Sequence, residues 1–558
     1  MGKIYKKIIF IFIFLLITNL AQSQTKITQT EKLATTAKVW GFLKYYHPNV
    51  AKGKFNWDEQ LFSILPKIEA TDSKNELSAL LLNWIDTLGE VKICKSCKNK
   101  DEVKYFNKNF DLSWTQNLKL FNPKLSEKLK YIEENRFQGK HHYVYLKKGI
   151  RAAKNIYIQN ETSYENFNWE VKNLRLLSLF RYWNTIEYFF PYKYQTDQPW
   201  NDILIEMLPK FLSPQSELDY HLAMLELVVK IDDSHAGLQS DLLNEHFGNK
   251  HIPALYKIID DKAVITRMLN DSIAQLNDLK IGDVISKVNG ENVMDIFNKN
   301  CDYIQGSNYP SKLSFAWNKI FNGTSDSLTI EFLRNNELNT KKIRRYLFED
   351  FNYKKSKKEK WKIINSNIGY VSMGELERDD VSAMMDSLMQ TKAMIFDIRN
   401  YPKGTLYNIA NYLNSKPKEF FKVINPDLSY PGKFIWVKGL TCGGDGKVKE
   451  RYKGKVVLLV NSYTQSHAEF TTMCLQTAED VITIGNQTSG ADGNVSSISL
   501  IGGFKTGISG IGIFYPDKTK TQRKGVKIDI ELQPTIEGIR NGDDEILDKA
   551  IEIINSKI

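Results

Sequence analysis

At 558 residues the chain is long enough for roughly three or four domains. Its 42% apolar and 25% charged content is ordinary for a globular protein. The net charge of +11 sits in Lys-rich clusters (354–362 and 447–455) with no Arg-rich or aromatic-interleaved recognition motif, so these read as solvated faces and nucleic acid is excluded as a partner.

Met1 to Ser23 reads as a signal peptide. Lys3, Lys6 and Lys7 form a positive start, Ile8 to Leu20 is an apolar run too short to span a bilayer, and Ala21-Gln22-Ser23 is a small-x-small cleavage signal. No cysteine sits there to take a lipid, and no later run is long and apolar enough to span a membrane. The mature chain is expected to begin near Gln24 and to be exported, to the periplasm or the extracellular space. In such a compartment the Cys94-Lys-Ser-Cys97 pair is expected to close a local disulfide. No second C-x-x-C or nearby His pair is present to complete a zinc site, and a redox role lacks its βαβ setting. Cys474 reads as a core residue.

An internal repeat follows. Trp40, Pro48, Trp57 and Pro66 recur 143 residues later as Trp183, Pro191, Trp200 and Pro209, with Leu61 and Leu65 matched by Leu204 and Leu208. Each copy (24–89 and 165–245) reads as an aromatic helix ending before Pro, a polar loop, and an amphipathic helix from Trp to Pro. A third helix follows in both, Glu76 to Asp86 and Glu217 to Lys230. Residues 90–164 between the copies read as irregular and partly β. The copies diverge at their ends. The first closes with Thr87-Leu-Gly-Glu90. The second closes with Ile231-Asp-Asp-Ser-His-Ala-Gly-Leu238, which carries Ser234 and His235. A lone histidine is more often a surface residue than a base. This one differs between duplicated modules, which marks it as a candidate.

Residues 246–350 change character to short β-like runs and turns. Leu279 to Val293 holds a Gly-Asp turn, a strand and an Asn-Gly turn. This segment resembles a PDZ domain of the bacterial protease type, which implies capture of an extended peptide or its C-terminus by strand addition.

Residues 351–558 alternate strands and helices: Ile368 to Ser372, a helix from Val381 to Thr391, Ala393 to Arg399, Lys455 to Val460, and Asp480 to Gly485. The stretch Val456 to Leu475 reads as a buried strand, a polar turn and a helix. Ser466 falls at that helix start, where free N–H groups and the helix dipole favour negative charge. It is placed as a nucleophile, with the His467 N–H available to an oxyanion, although an N-capping serine fits the same position.

Taken in order, Asp-Asp-Ser-His-Ala-Gly, the PDZ-like signature, Phe-Asp-Ile-Arg-Asn, Asn461-x4-Ser466-x2-Glu469, Gly485-x2-Thr488-x-Gly490 and Gly525 to Asp529 resemble the S41 serine peptidases. That family includes the C-terminal processing proteases and the tricorn core proteases. The resemblance covers about Asp232 to the end. It implies a multidomain α+β chain: N-terminal helical repeat modules, a PDZ-like β domain, and a C-terminal α/β domain with the S41 (ClpP/crotonase-like) fold. The processing-protease lysine would stand at Ala491, so a Ser-Lys dyad is absent. The tricorn-like solution matches Ser466 as nucleophile, His235 as base and Ser234 as its support. Gln522 stands where that branch has a glutamate and brings no negative charge. The oxyanion donors would be His467 N–H and Gly404 N–H, in a turn where Pro402 cannot donate. Glu469 reads as structural, and Asp397 with Arg399 as an ion pair.

The implied function is an exported serine peptidase acting on peptides or proteins captured as an extended strand or by their C-terminus, without metal or cofactor. A peptide-binding pseudoenzyme on the same scaffold is the alternative. An esterase or amidase using the same serine is a third reading, against which the PDZ-like module argues.

Overall fold

The repeated tryptophans hold the helices of the N-terminal half together in pairs. In the computed structural model α1 (Gln29–Tyr46) crosses α2 (Trp57–Glu69), and α3 (Lys172–Phe189) crosses α4 (Trp200–Leu212). Trp40 Nε1 donates to the Trp57 carbonyl at 3.1 Å, and Trp57 Nε1 returns a bond to the Trp40 carbonyl at 3.2 Å. Trp183 and Trp200 make the same reciprocal bonds at 2.9 and 3.0 Å. An indole N–H is a donor only, so each buried ring needs such an acceptor. Both pairs also stack, at interplanar angles of 17° and 9°. Pro66 and Pro209 lie inside α2 and α4, so each helix runs past the proline at which the sequence reading ended it.

The structure describes residues 26–97, 103–148, 154–353, 358–446 and 448–556; the signal peptide read at 1–23 lies outside the described residues. The Cys94–Cys97 disulfide is present. The segment read as irregular contains a 12-residue helix, Pro123–Glu134, which the sequence reading missed. Its start is conventional: Asn122 accepts the Leu125 N–H at 2.9 Å and Pro occupies the first helical position.

Residues 252–347 form an antiparallel sheet in the order Glu337–Arg344, Ser327–Arg334, Val284–Val288, Lys262–Met268, Ala254–Ile259. It has its own core of Ile265, Ile285, Val293, Phe297, Ile330 and Phe332. Asn289 and Gly290 both take positive φ, 50° and 85°, the geometry a two-residue hairpin turn requires.

The C-terminal sheet has six strands: β1 (Trp361–Ile364), β2 (Ile368–Ser372), β3 (Ala393–Asp397), β4 (Lys455–Val460), β5 (Val481–Gly485) and β6 (Ile530–Glu531). All neighbours after the β1–β2 pair run parallel. Apart from Asp397 at the end of β3 and Lys455 at the start of β4, these two strands are apolar and covered on both faces, as central parallel strands must be. The helical modules and the segment after residue 351 are not separate in space. Ile424, Phe434, Ile498, Ile508 and Phe514 share one hydrophobic core with Trp40, Trp183 and Tyr188. Tyr105–Phe106 even pairs with Phe434–Val437 in a small sheet completed by Lys422–Pro426 and Gly512–Phe514. Among the described residues no helix is long and apolar enough to cross a membrane.

Truncating Trp183 to alanine removes a buried ring and the indole donor to the Trp200 carbonyl. It is expected to cost about 3–5 kcal/mol, read from the shift of a denaturant unfolding curve.

Candidate active site

β4 delivers its last residue, Val460, to the carboxyl edge of the parallel sheet. The turn that follows is closed by its own side chains: Asn461 N–H donates to Thr464 Oγ1 at 3.0 Å, and that hydroxyl donates to the Ile398 carbonyl beyond β3 at 3.0 Å. Ser466 comes next, at φ 55° and ψ −118°, immediately before helix α5 (His467–Leu475). A serine with positive φ is strained and persists only where its surroundings over-determine it. Its N–H donates to the Ala491 carbonyl at 3.1 Å and to Glu469 Oε2 at 3.2 Å.

Glu469 is the hub of this arrangement. Its carboxylate is fully buried and accepts Thr488 Oγ1 at 2.6 Å, Gly490 N–H at 2.8 Å and Ala491 N–H at 3.0 Å besides Ser466 N–H. Burial raises its pKa and the four donors oppose that rise. Gly525 is required beside it: a Cβ there would lie 2.2 Å from Thr488 Oγ1, and its φ is +80°.

The second component comes from 231 residues earlier in the chain. The helix Glu217–Val229 ends in the Asp232–His235 loop, where Asp232 takes φ 51°. His235 is mostly buried. Its Nδ1 lies 3.1 Å from Asp233 Oδ1 and 3.1 Å from Ser509 Oγ. Asp233 Oδ1 also accepts the His235 N–H at 3.0 Å, and Oδ2 accepts the Ser509 N–H at 2.7 Å. Burial works against a charged imidazole, but the Asp233 carboxylate, with Glu469 further off, holds the His235 pKa above its ordinary value. Burial likewise works against the Asp233 charge; His235 and the two backbone N–H groups outweigh it, and its pKa is lowered. The Nε2 of His235 is buried and has no partner among the described residues. It is therefore not hydrogen-bonded to Ser466.

Ser234, expected to hold the imidazole, instead faces a buried cluster of hydroxyls. It accepts Ser307 N–H at 2.9 Å and contacts Ser311 Oγ at 2.8 Å and Ser489 Oγ at 2.9 Å. The contacts to the ring that were assigned to Ser234 are made by Asp233 and Ser509. Gln522 is 1% exposed, and neither its Nε2 nor its Oε1 has a partner among the described residues. His467 supplies the first N–H of α5, one of those left without an acceptor inside the helix. Burial, with Arg378 nearby, lowers the pKa of its ring. Gly404 takes φ +76°, and its carbonyl accepts Arg378 Nε at 3.0 Å. Asp397 and Arg399 form the ion pair read from the sequence, at 2.8 Å, extended by Asp544 at 2.6 Å. Asp233 was overlooked although it stands two residues before His235. Ser509 carried no signal, lying 274 residues away from the ring it touches.

Residues 367–532 match the model of Peptidase family S41. The chain carries a serine-type peptidase domain. Among solved structures, mature CPAF complexed with lactacystin superposes with a TM-score of 0.55 at 14% identity, covering 70% of this chain and 100% of that one. A putative peptidase from Parabacteroides merdae ATCC 43184 matches with a TM-score of 0.42 at 14% identity, over 69% and 99% of the two chains. The photosystem II D1 C-terminal processing protease matches at 0.37 and 15% identity, over 66% and 98%. The likeness to CPAF is one of fold. No curated protein sequence matches the chain.

Replacing Glu469 with alanine strands the Gly490 and Ala491 N–H groups and the Thr488 hydroxyl, and takes from the Ser466 N–H one of its two acceptors. It is expected to cost at least about 3 kcal/mol in urea unfolding, and Glu469→Gln, which turns an NH2 toward some of those donors, is also expected to destabilise.

Proposed function

We propose that this S41-type chain is an exported peptidase that cleaves peptides or proteins through an acyl-enzyme at Ser466. His235 acts as general base, taking the Ser466 proton at Nε2 and passing it to the leaving amine. The developing oxyanion is met by the His467 N–H and by the Gly404 N–H. Ser234 supports the base loop through its bonds to Ser307, Ser311 and Ser489, and Gln522, where the family has a glutamate, adds no described bond to it. Export rests on the lysines, apolar run and cleavage signal of residues 1–23. The sheet of residues 252–347 is read as a PDZ-like module whose edge strands, Ala254–Ile259 and Glu337–Arg344, can take up a substrate C-terminus as an added strand.

One observation carries the reading: Ser466 is held in a left-handed backbone conformation at the start of α5, behind a central parallel strand of the S41 segment. Its Glu469 neighbour lies within electrostatic range of His235, whose base nitrogen is unpartnered.

The test is the rate of labelling by a fluorophosphonate. The wild type is expected to label, and folded Ser466→Ala and His235→Ala are expected to lose it. Labelling needs a neutral imidazole. Because the His235 pKa is raised, the rate is expected to climb with pH through a midpoint above 6.5, the base being protonated and idle below it. A folded wild type that does not label yet binds peptides would replace this reading with a peptide-binding pseudoenzyme.

A further inference from the structure

We propose that Asp233 and Ser509 are the positioning pair for His235, holding its Nδ1–H so that Nε2 presents a lone pair, with Asp233 supplying the negative charge that Gln522 lacks. The proposal rests on the reading of His235 as the base and assigns what orients it.

Each part of the geometry has one consequence. Asp233 Oδ1 receives both the His235 N–H (3.0 Å) and Nδ1 (3.1 Å), so the acid grips the residue at two points. A carboxylate accepts only, so the proton of the neutral ring belongs on Nδ1 and Nε2 is left bare. Oδ2 is anchored by the Ser509 N–H at 2.7 Å, which stops the carboxylate from turning away. Ser509 Oγ, 3.1 Å from Nδ1, fixes the ring from the other side. Asp233 is completely buried, so its charge acts on the imidazolium with little screening by water. Ser509 belongs to the hairpin Val495–Ser499 and Lys505–Ser509 of the C-terminal segment. Gly507 on the same strand lets the base loop lie against it, since a Cβ there would stand 3.0 Å from the His235 carbonyl. The helical half thus brings the base, and the peptidase segment brings half of its cradle. Gln522 has no hydrogen-bond partner among the described residues and no charge, so it makes no described bond to His235 or Ser234.

Two experiments on the full chain test this. The first compares fluorophosphonate labelling of wild type, Asp233→Asn, Asp233→Glu and Ser509→Ala across pH, each checked for folding. Asp233→Asn keeps the shape and loses the charge. It is expected to slow labelling roughly a thousandfold and to move the pH midpoint downward, with partial recovery in Asp233→Glu. Ser509→Ala removes one neutral contact and is expected to slow labelling roughly tenfold or less. A folded Asp233→Asn with the wild-type rate and midpoint overturns the proposal while leaving Ser466 and His235 in place.

The second needs no folded Asp233 variant. The ring-nitrogen NMR shifts of His235 in wild type, assigned by difference from His235→Ala, are expected to show Nδ1 protonated and Nε2 bare in the neutral form. The opposite tautomer overturns the proposal. This second result stands whether or not Ser466 labels, so failure of the peptidase reading and failure of the positioning role are told apart.

Discussion

The buried carboxylate of Glu469 is the interaction on which the site depends. It gathers the Ser466, Gly490 and Ala491 N–H groups and the Thr488 hydroxyl into one acceptor. Burying a charge is costly unless hydrogen bonds replace its water, and four donors do so here. The same bonds hold a serine at positive φ, a conformation it would not keep unaided. Three motif positions far apart in the chain, Ser466 to Glu469, Thr488 to Gly490, and Gly525, are thereby one object in space. Thr488 Oγ1 also accepts the Val526 N–H at 3.0 Å, which draws the Gly525 turn into it.

His235 is carried on a separate scaffold. The helical half is built on the tryptophan pairs and shares its core with strands of the C-terminal segment. The Asp232–His235 loop is then pinned by polar contacts at its edge. Asp232 Oδ2 accepts the Asp197 N–H at 2.7 Å, and Arg523 links Asp197 at 2.6 Å to the Ser307 carbonyl at 3.0 Å. Asn308 donates to the Thr488 carbonyl at 2.8 Å. Ser234 sits in the middle of this joint, bonded to Ser307, Ser311 and Ser489. The serine before the histidine therefore ties three segments together.

Much was legible in the sequence because it is written locally. The alternation of apolar strands with helices, the polar turn before α5, the Asn-Gly hairpin and the spacing of the tryptophans each depend on residues a few positions apart. Backbone periodicity and turn chemistry act over that range. The helix Pro123–Glu134 was missed although its Asn-Pro start is a local signal, because its surroundings are short, polar and mixed. The ends of α2 and α4 were placed too early because a proline in a last turn does not always stop a helix.

By itself the sequence determined the strand-turn-helix that presents Ser466, the glycines its neighbours require, and the absence of a lysine at position 491. Only the tertiary structure decided which groups surround His235. Asp233 and Ser509 hold the ring, Ser234 turns away from it, and Gln522 bonds to neither. It also decided that the helical half and the C-terminal segment share a core across residue 351. The reason is physical: a side chain's partners are set by packing between segments hundreds of residues apart, and no periodicity within either segment records that meeting.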